Sequence, residues 1–328
     1  MTTADILVGG RTLPRKYVPV LVTAGLFAAM FVIGGIRYEG FASGQVILNV
    51  LVDNPFMLVI AVGMTFVILT GGIDLSVGSV AALSTMVAAS LLSGPGWPAP
   101  MVIVLVLAIG TVLGFGMGAI IHYFEIQPFV VTLAGMFLAR GLCYTISTDS
   151  IPITDPLFTS VGQAQFYLTS DLWVSPSVLI GLVVVLVAAY VLHYTRLGRN
   201  VYAVGGGEQS ALLMGLPVAR TKIAVYTISG FCSALGGLLF SLYTLSGYGL
   251  HAVGWELDAI AAVVIGGVLL TGGSGYLLGT LLGVLMLGLI QTIISFEGTL
   301  SSWWTRMVIG LLLFAFILMQ RLIGVRRK

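Results

Sequence analysis

The chain has 328 residues, 58% of them hydrophobic and 8% charged, with a mean hydropathy of +1.10. Soluble domains carry about 25% charged residues, so a pair of water-soluble domains is excluded, and each long apolar run is a candidate membrane span of about 17–25 residues. The net charge of +2 matters less than where the charges lie.

Glycine makes up 43 residues, about 13% against a usual 7%, which in an apolar chain points to helices packed backbone to backbone. A transmembrane β-barrel alternates apolar and polar residues over about ten positions, whereas the runs 17–36 and 259–296 carry no Asp, Glu, Lys or Arg. Cys143 and Cys232 both sit in apolar runs, so no disulfide framework is expected.

At the N-terminus, Arg11, Arg15 and Lys16 precede an apolar run longer than a signal-peptide core, and no small-x-small cleavage site precedes Arg37, so this run is read as a retained first helix. Charges, Gly/Pro clusters and turn residues then divide the chain into ten predicted helices: 17–36, 46–70, 76–93, 99–121, 128–147, 176–195, 223–246, 256–271, 275–294 and 303–323. The fold class is therefore an all-α membrane protein, one transmembrane domain over 1–328. One set of helix ends holds Arg11, Arg15, Lys16, Arg196, Arg199, Arg220, Lys222, Arg321, Arg326, Arg327 and Lys328, leaving only Arg37, Arg140 and Arg306 elsewhere. The positive-inside rule places both termini in the cytoplasm. The loop 148–175, with Asp149, Asp155 and Asp171, then falls outside, and the loop 196–222, with Glu208 and four basic residues, inside.

Several spans read as discontinuous. The second is interrupted by Asp53-Asn54-Pro55 and ends in Gly71-Gly72, the third opens with Asp74-Leu75-Ser76, and the uncharged run after Asp258 is cut by Gly272-Gly273-Ser274-Gly275. Interrupted helices at matching places in two halves point to a transport pathway. The internal match between Gly-Ile-Asp-Leu-Ser and Glu-Leu-Asp-Ala-Ile is weak, which leaves a repeat of helices 2–5 and 7–10 open. Gly110, Gly114 and Gly118, and likewise Gly275, Gly279 and Gly283, lie four apart, and each set predicts a groove on one helical face.

No catalytic machinery is legible. None of Lys16, Lys222 and Lys328 follows a glycine as a Walker A lysine must. Gly205-Gly206-Gly207 lacks the third glycine of a dinucleotide fingerprint, since Ser210 stands there. His122, His193 and His251 are far apart, with no zinc spacing, and there is no G-x-S-x-G elbow. Moving a solute is the remaining reading, and its path needs polar groups inside the bilayer. Candidates are Asn54, Thr65, Asp74, Ser76, Thr132, Arg140, Ser147, Glu256, Asp258 and Gln291. Each has a plainer alternative: Thr65 and Thr132 can bond their own helix backbone, Asp74 can cap the third helix, and Arg140 can pair with a carboxylate. Trp303 and Trp304 read as an interfacial belt.

The run Gly71-Gly72-Ile73-Asp74-Leu75-Ser76-Val77-Gly78-Ser79 resembles the hallmark of the sugar-type permease subunits of bacterial ABC importers, the ribose and galactofuranose branch. The resemblance continues through Pro128-Phe129-Val130-Val131-Thr132-Leu133-Ala134-Gly135-Met136, Glu256-Leu257-Asp258-Ala259-Ile260-Ala261, Gly266-Gly267 and Gly272-Gly273. Ser150-Ile151-Pro152-Ile153 and Gly298-Thr299-Leu300-Ser301-Ser302-Trp303-Trp304-Thr305 are most similar to one of the two permeases of the galactofuranose importer.

The resemblance implies a permease in the bacterial inner membrane, paired with a second homologous permease. A cytoplasmic ATPase carrying ATP and Mg docks inside, and a periplasmic binding protein delivers sugar outside. This chain itself would be no enzyme and would hold no cofactor or metal, with no nucleic acid among its partners. The loop between helices 6 and 7, here 196–222, is where such permeases grip the ATPase, and Gly205, Gly206, Gly207, Glu208, Ala211, Met214 and Gly215 are the coupling residues so implied. Gly207 replaces the usual Asn, Ser210 the first Ala and Leu216 the Ile of the family stretch. Residues 210–216 are expected to form a short helix presenting Ala211, Leu212 and Met214. Asn54, Thr65, Asp74, Ser76, Thr132 and Gln291 are the substrate-path set. Two rival readings remain: an ion-coupled secondary sugar transporter, which wants a deep carboxylate, and a mainly structural half of a heterodimer.

Overall fold

The computed structural model describes residues 6–8, 11–13, 18–299, 301 and 303–325. Arg15, Lys16, Arg326, Arg327 and Lys328, which contribute to the predicted orientation, lie outside the described residues, as do Leu300 and Ser302. In chain order the helices are α1 (Val18–Arg37), α2 (Gly44–Val52), α3 (Pro55–Leu69), α4 (Val77–Ser93), α5 (Ala99–Tyr123), α6 (Pro128–Ile146), α7 (Pro156–Gln163), α8 (Pro176–Tyr194), α9 (Arg196–Gly206), α10 (Glu208–Leu213), α11 (Val218–Thr244), α12 (Trp255–Ile265), α13 (Leu277–Glu297) and α14 (Trp303–Val325). The protein is nearly all-helical. The small exceptions are two-stranded pairings of Ile6–Val8 with Arg11–Leu13, Ile151–Pro152 with Ser246–Gly247, and Phe166–Tyr167 with Trp173–Val174.

Among the described residues seven helices, α1, α5, α6, α8, α11, α13 and α14, are long and apolar enough to cross a membrane. The bent pair α2–α3 makes an eighth, broken by 58° at Asp53-Asn54, where Pro55 occupies the first turn of α3. The structure thus differs from ten full-length spans. The third predicted helix, α4, has 17 residues, and the eighth, α12, has 11. α12 stops early because the chain turns at Gly266-Gly267, with φ +94° at Gly267, a conformation that favours glycine. Its last carbonyls are deep in the protein and need other partners. Thr23 of α1 donates to Ile265 O at 2.5 Å, and Gln320 of α14 donates to Val264 O at 3.2 Å.

The core follows from residue size. α3 is apolar on every side, and all 15 of its residues are buried. It lies against α11, α8, α12 and α13. α11 packs most extensively on α5 because both present glycine where they cross. A Cβ on Gly110 would lie 2.6 Å from Gly230 O, and one on Gly118 would lie 2.9 Å from Ile223 Cα. The Gly110, Gly114 and Gly118 groove therefore holds a helix of the same chain. The second predicted groove is partly realised. Gly279 and Gly283 face Gly266 and Ala262, but Gly275 precedes α13 and packs on Val268. Cys143 and Cys232 are buried free thiols. Large apolar side chains on α1, α5, α6, α8 and α14, such as Ile33, Val112, Phe137, Leu186 and Phe314, face outward.

Candidate functional site

The two short helices begin beside each other. Gly78, in the first turn of α4, sits so near the start of α12 that a Cβ there would lie 2.6 Å from both Ala252 O and Glu256 Oε2. α4 follows the glycine turn after α3, and α12 follows the loop 248–254 after α11. Two helix entrances therefore meet inside the bundle, where their free N–H groups favour negative or polar groups.

Each entrance is held by named polar contacts. Asp74 is fully buried: Oδ1 accepts from Ser76 N at 2.9 Å and Ser76 Oγ at 2.6 Å, and Oδ2 accepts from Ser229 Oγ of α11 at 2.7 Å. Thr132 donates to Pro128 O at 2.9 Å, within its own helix, and to Ile73 O at 3.3 Å. Thr65 donates to Ala61 O at 2.7 Å and lies 2.8 Å from the Thr280 hydroxyl of α13. Thr65, Asp74, Ser76 and Thr132 are thus enclosed by the chain's own packing. Asn54 is half-buried at the α2–α3 break and donates to Val50 O at 2.9 Å. Gln291 is exposed. Ser147 ends α6 and bonds the backbone of Asp149.

Arg140 corrects an expectation. Its Nη1 donates to Gly249 O at 2.5 Å and His251 O at 2.8 Å, so it holds the loop entering α12 by carbonyls instead of pairing with a carboxylate. Thr23, Gln320 and Ser229, which carry helix ends here, were missed by the sequence reading. Gln320 was findable as a polar residue within the last apolar run; the two hydroxyls carry no signal that separates them from ordinary ones.

The loop 196–222 is largely helical. α9, unpredicted, starts at Thr195, whose side chain accepts from Gly198 N. It ends at a junction of three glycine segments. Gly273 N donates to Leu69 O at 2.9 Å, and a Cβ on Gly205 would lie 2.5 Å from Gly273 N. A Cβ on Gly272 would lie 2.7 Å from Gly71 N. Tyr202 adds a bond to Gly275 O at 2.8 Å. Gly205 is therefore required by close backbone approach, whereas a Cβ on Gly206 would meet open space. It is Gly273 whose Cβ would strike Gly206, at 2.8 Å from its N, and φ is near +81° at Gly71 and Gly272.

α10 begins two residues earlier than expected. Gly207, having no side chain, caps it only through its carbonyl, which accepts from Ala211 N at 2.9 Å. Ala211 points inward against Val204, Val218 and Leu216, so Leu213 takes its predicted place, and the exposed tip is Leu212, Leu213 and Met214. Glu208 pairs with Lys222 at 2.6 Å, and Gly215 turns the chain at φ +74° into open space. A cleft of about 700 Å³ separates α10 from the α5–α6 turn, lined by His122, Glu125, Gln127, Glu208, Leu212 and Lys222 among others.

Membrane-length helices, paired interrupted spans, polar groups held inside the bundle and an exposed apolar tip on one end define a multi-pass membrane permease. The chain belongs to the family described as branched-chain amino acid transport system / permease component, which matches residues 46–317. It is 47% identical over 307 residues to the inner membrane ABC transporter permease protein YjfF of Escherichia coli (strain K12), covering 94% of this chain and 93% of that one. It is 40% identical over 320 residues to the fructose import permease protein FruG of Bifidobacterium longum, covering 95% and 93%. The ribose import permease protein RbsC of Haemophilus influenzae is 40% identical over 294 residues, covering 88% of each chain. No solved structure matches the chain.

Proposed function

We propose that this chain is the transmembrane permease subunit of an ATP-driven monosaccharide importer of the bacterial inner membrane, forming half of the path. The observation that carries this reading is the near full-length similarity to ABC permeases, two of which are named for fructose and ribose import. The family description names branched-chain amino acids, but FruG and RbsC, each similar over most of its length, are named for sugar import. Galactofuranose is the sugar we propose, on the resemblance of residues 150–153 and 298–305, with a second homologous permease completing the path.

The proposed topology has ten segments, counting α4 and α12 as short ones, with both termini in the cytoplasm. In that orientation the α10 tip faces inward, where an ATPase docks and supplies ATP and Mg, and residues 148–175 face a periplasmic binding protein. Gly205, Gly206, Gly207, Glu208, Met214 and Gly215 form the coupling surface, with Ala211 bracing it from behind. Of the path set, Asn54 and Gln291 contact solute, while Thr65, Asp74, Ser76 and Thr132 position the helix entrances.

The test is expression of the chain with its chromosomal neighbours, gentle purification and native mass spectrometry, followed by sugar-stimulated ATP hydrolysis. Recovery with an ATPase and a second permease is expected. Repeated recovery of the chain alone in several detergents, with sugar uptake abolished by an ionophore, would overturn the reading in favour of a secondary transporter.

A further inference from the structure

A cavity of about 810 Å³ opens where α12 begins and where α13 and α14 meet, lined by Trp255, Asp258, Gln291, Ser295, Trp303 and Arg306 together with smaller apolar groups. Its polar heads leave hydrogen-bonding capacity free. Among the described residues the carboxylate of Asp258, the amide of Gln291 and the guanidinium of Arg306 make no hydrogen bond, and neither ion pair of those residues, Arg37–Glu297 or Lys222–Glu208, uses any of them; Asp258 and Arg306 attract each other only electrostatically. Groups that leave their hydrogen-bonding capacity free around one concavity are available to a ligand.

The aromatic residues are placed to match. Trp255 is fixed by stacking on Phe56, with ring centroids 4.8 Å apart and planes 10° from parallel, and by an edge contact with Phe240. Trp303 is 69% exposed and carries the Arg306 guanidinium 5.6 Å from its ring centroid. The charges are balanced, with one carboxylate and one guanidinium on a common wall. A net-charged solute would meet one repulsive partner, whereas a neutral ligand rich in hydroxyls can donate to Asp258 and Gln291, accept from Gln291 and Arg306, and lay a C–H face on an indole.

We infer that this cavity is a binding subsite for a neutral monosaccharide within the permease itself, with Asp258, Gln291 and Arg306 as its hydrogen-bonding groups and Trp303 as its stacking face. The inference deepens the importer reading and rests on it for the direction of transport, but binding can be measured without transport. The cavity adjoins the α12 entrance, so a bound sugar lies beside the paired helix ends. Gly254, just before α12, has φ +88° and lies against the Arg306 guanidinium, which couples the shape of that entrance to the cavity wall.

The test uses the full chain in lipid nanodiscs, titrated with galactose, ribose and fructose, with glucuronate and leucine as charged and zwitterionic probes, while tryptophan fluorescence is recorded. A saturable change with the neutral sugars is expected, weakened at least fivefold in apparent affinity by Gln291→Ala and by Asp258→Asn, and reduced in amplitude by Trp303→Phe. Asp258→Asn keeps the side chain's size, and thermal unfolding of each variant separates lost binding from lost folding. No saturable sugar response, or equal responses in wild type and both polar variants, would overturn the subsite. ATP-driven sugar uptake by the wild-type assembly is measured in parallel. Uptake without any variant effect on sugar affinity overturns the subsite and leaves the importer standing, and a leucine response in place of the sugar response overturns both.

Discussion

Arg140 shows how much a single side chain carries in this fold. It is the sole cation on α6, and its guanidinium serves two carbonyls of the loop that feeds α12. Arg140→Leu leaves both acceptors without their charged donor, at a cost of about 1–3 kcal/mol for each such buried group. The expected result is a lower melting temperature in detergent and loss of uptake, read by fluorescence-detected size exclusion and a transport assay. Asp74 gives a graded counterpart. Asp74→Asn keeps an oxygen for Ser76 and a donor for the Ser229 hydroxyl, whereas Asp74→Leu strands the Ser76 amide and two hydroxyls. Folded yield should fall slightly for the first and severely for the second. The sequence marked both residues as polar groups in an apolar chain. Their partners were not legible, because Gly249, His251 and Ser229 lie more than a hundred residues away and offer backbone or a common hydroxyl.

Among elements, the α11–α5 crossing and the rest of α5 make opposite demands on glycine. Gly230 faces the backbone of Gly110 and Gly114, so Gly230→Val forces α5 away and should cost about 1–3 kcal/mol or more through overpacking. Gly116, on the same α5, has nothing within 4 Å of a Cβ, and Gly116→Ala should be neutral or stabilising by up to about 1 kcal/mol through helix propensity. Thermal unfolding of the two variants checks the contrast. The fourfold glycine spacing on α5 was readable in advance, and so was its helical face. The partner was not, because spacing names a groove without naming what fills it.

α10 was placed two residues late because no capping side chain marks its start, and Ala211 was expected outward where it is inward. Exposed on one short helix, Leu212, Leu213 and Met214 are where a partner's groove is expected to engage. Glu208→Lys sets two like charges beside each other at the Lys222 contact, and Gly215→Trp forces a bulky residue onto a left-handed turn. Both should cut ATP-driven uptake while the protein still folds and sugar still reaches the outer face. Glu208→Lys combined with Lys222→Glu should restore part of it. Unchanged uptake in both single variants would remove the coupling role.

On the scale of the whole molecule, composition alone established the membrane class, and breaks in hydropathy found every long helix to within a few residues. The shortfall lies in α12, predicted over 256–271 but ending at Ile265, because its apolar run continues into glycine turns that hydropathy counts as span; α4 was located correctly but is only 17 residues long. A chain that folds back before reaching the far side leaves helix ends inside the protein, and each end needs a distant partner such as Thr23 or Gln320. Such partnerships are non-local, so no window along the sequence contains them.

The junction of Gly71, Gly205 and Gly272-Gly273 has a mechanical consequence. Side chains act as springs between moving helices, because they change rotamer and absorb small displacements. Where main chain rests on main chain, that compliance is missing. A push delivered to α9 is therefore expected to reach, with little damping, both the turn that launches α4 and the turn between α12 and α13, so that those two turns shift together.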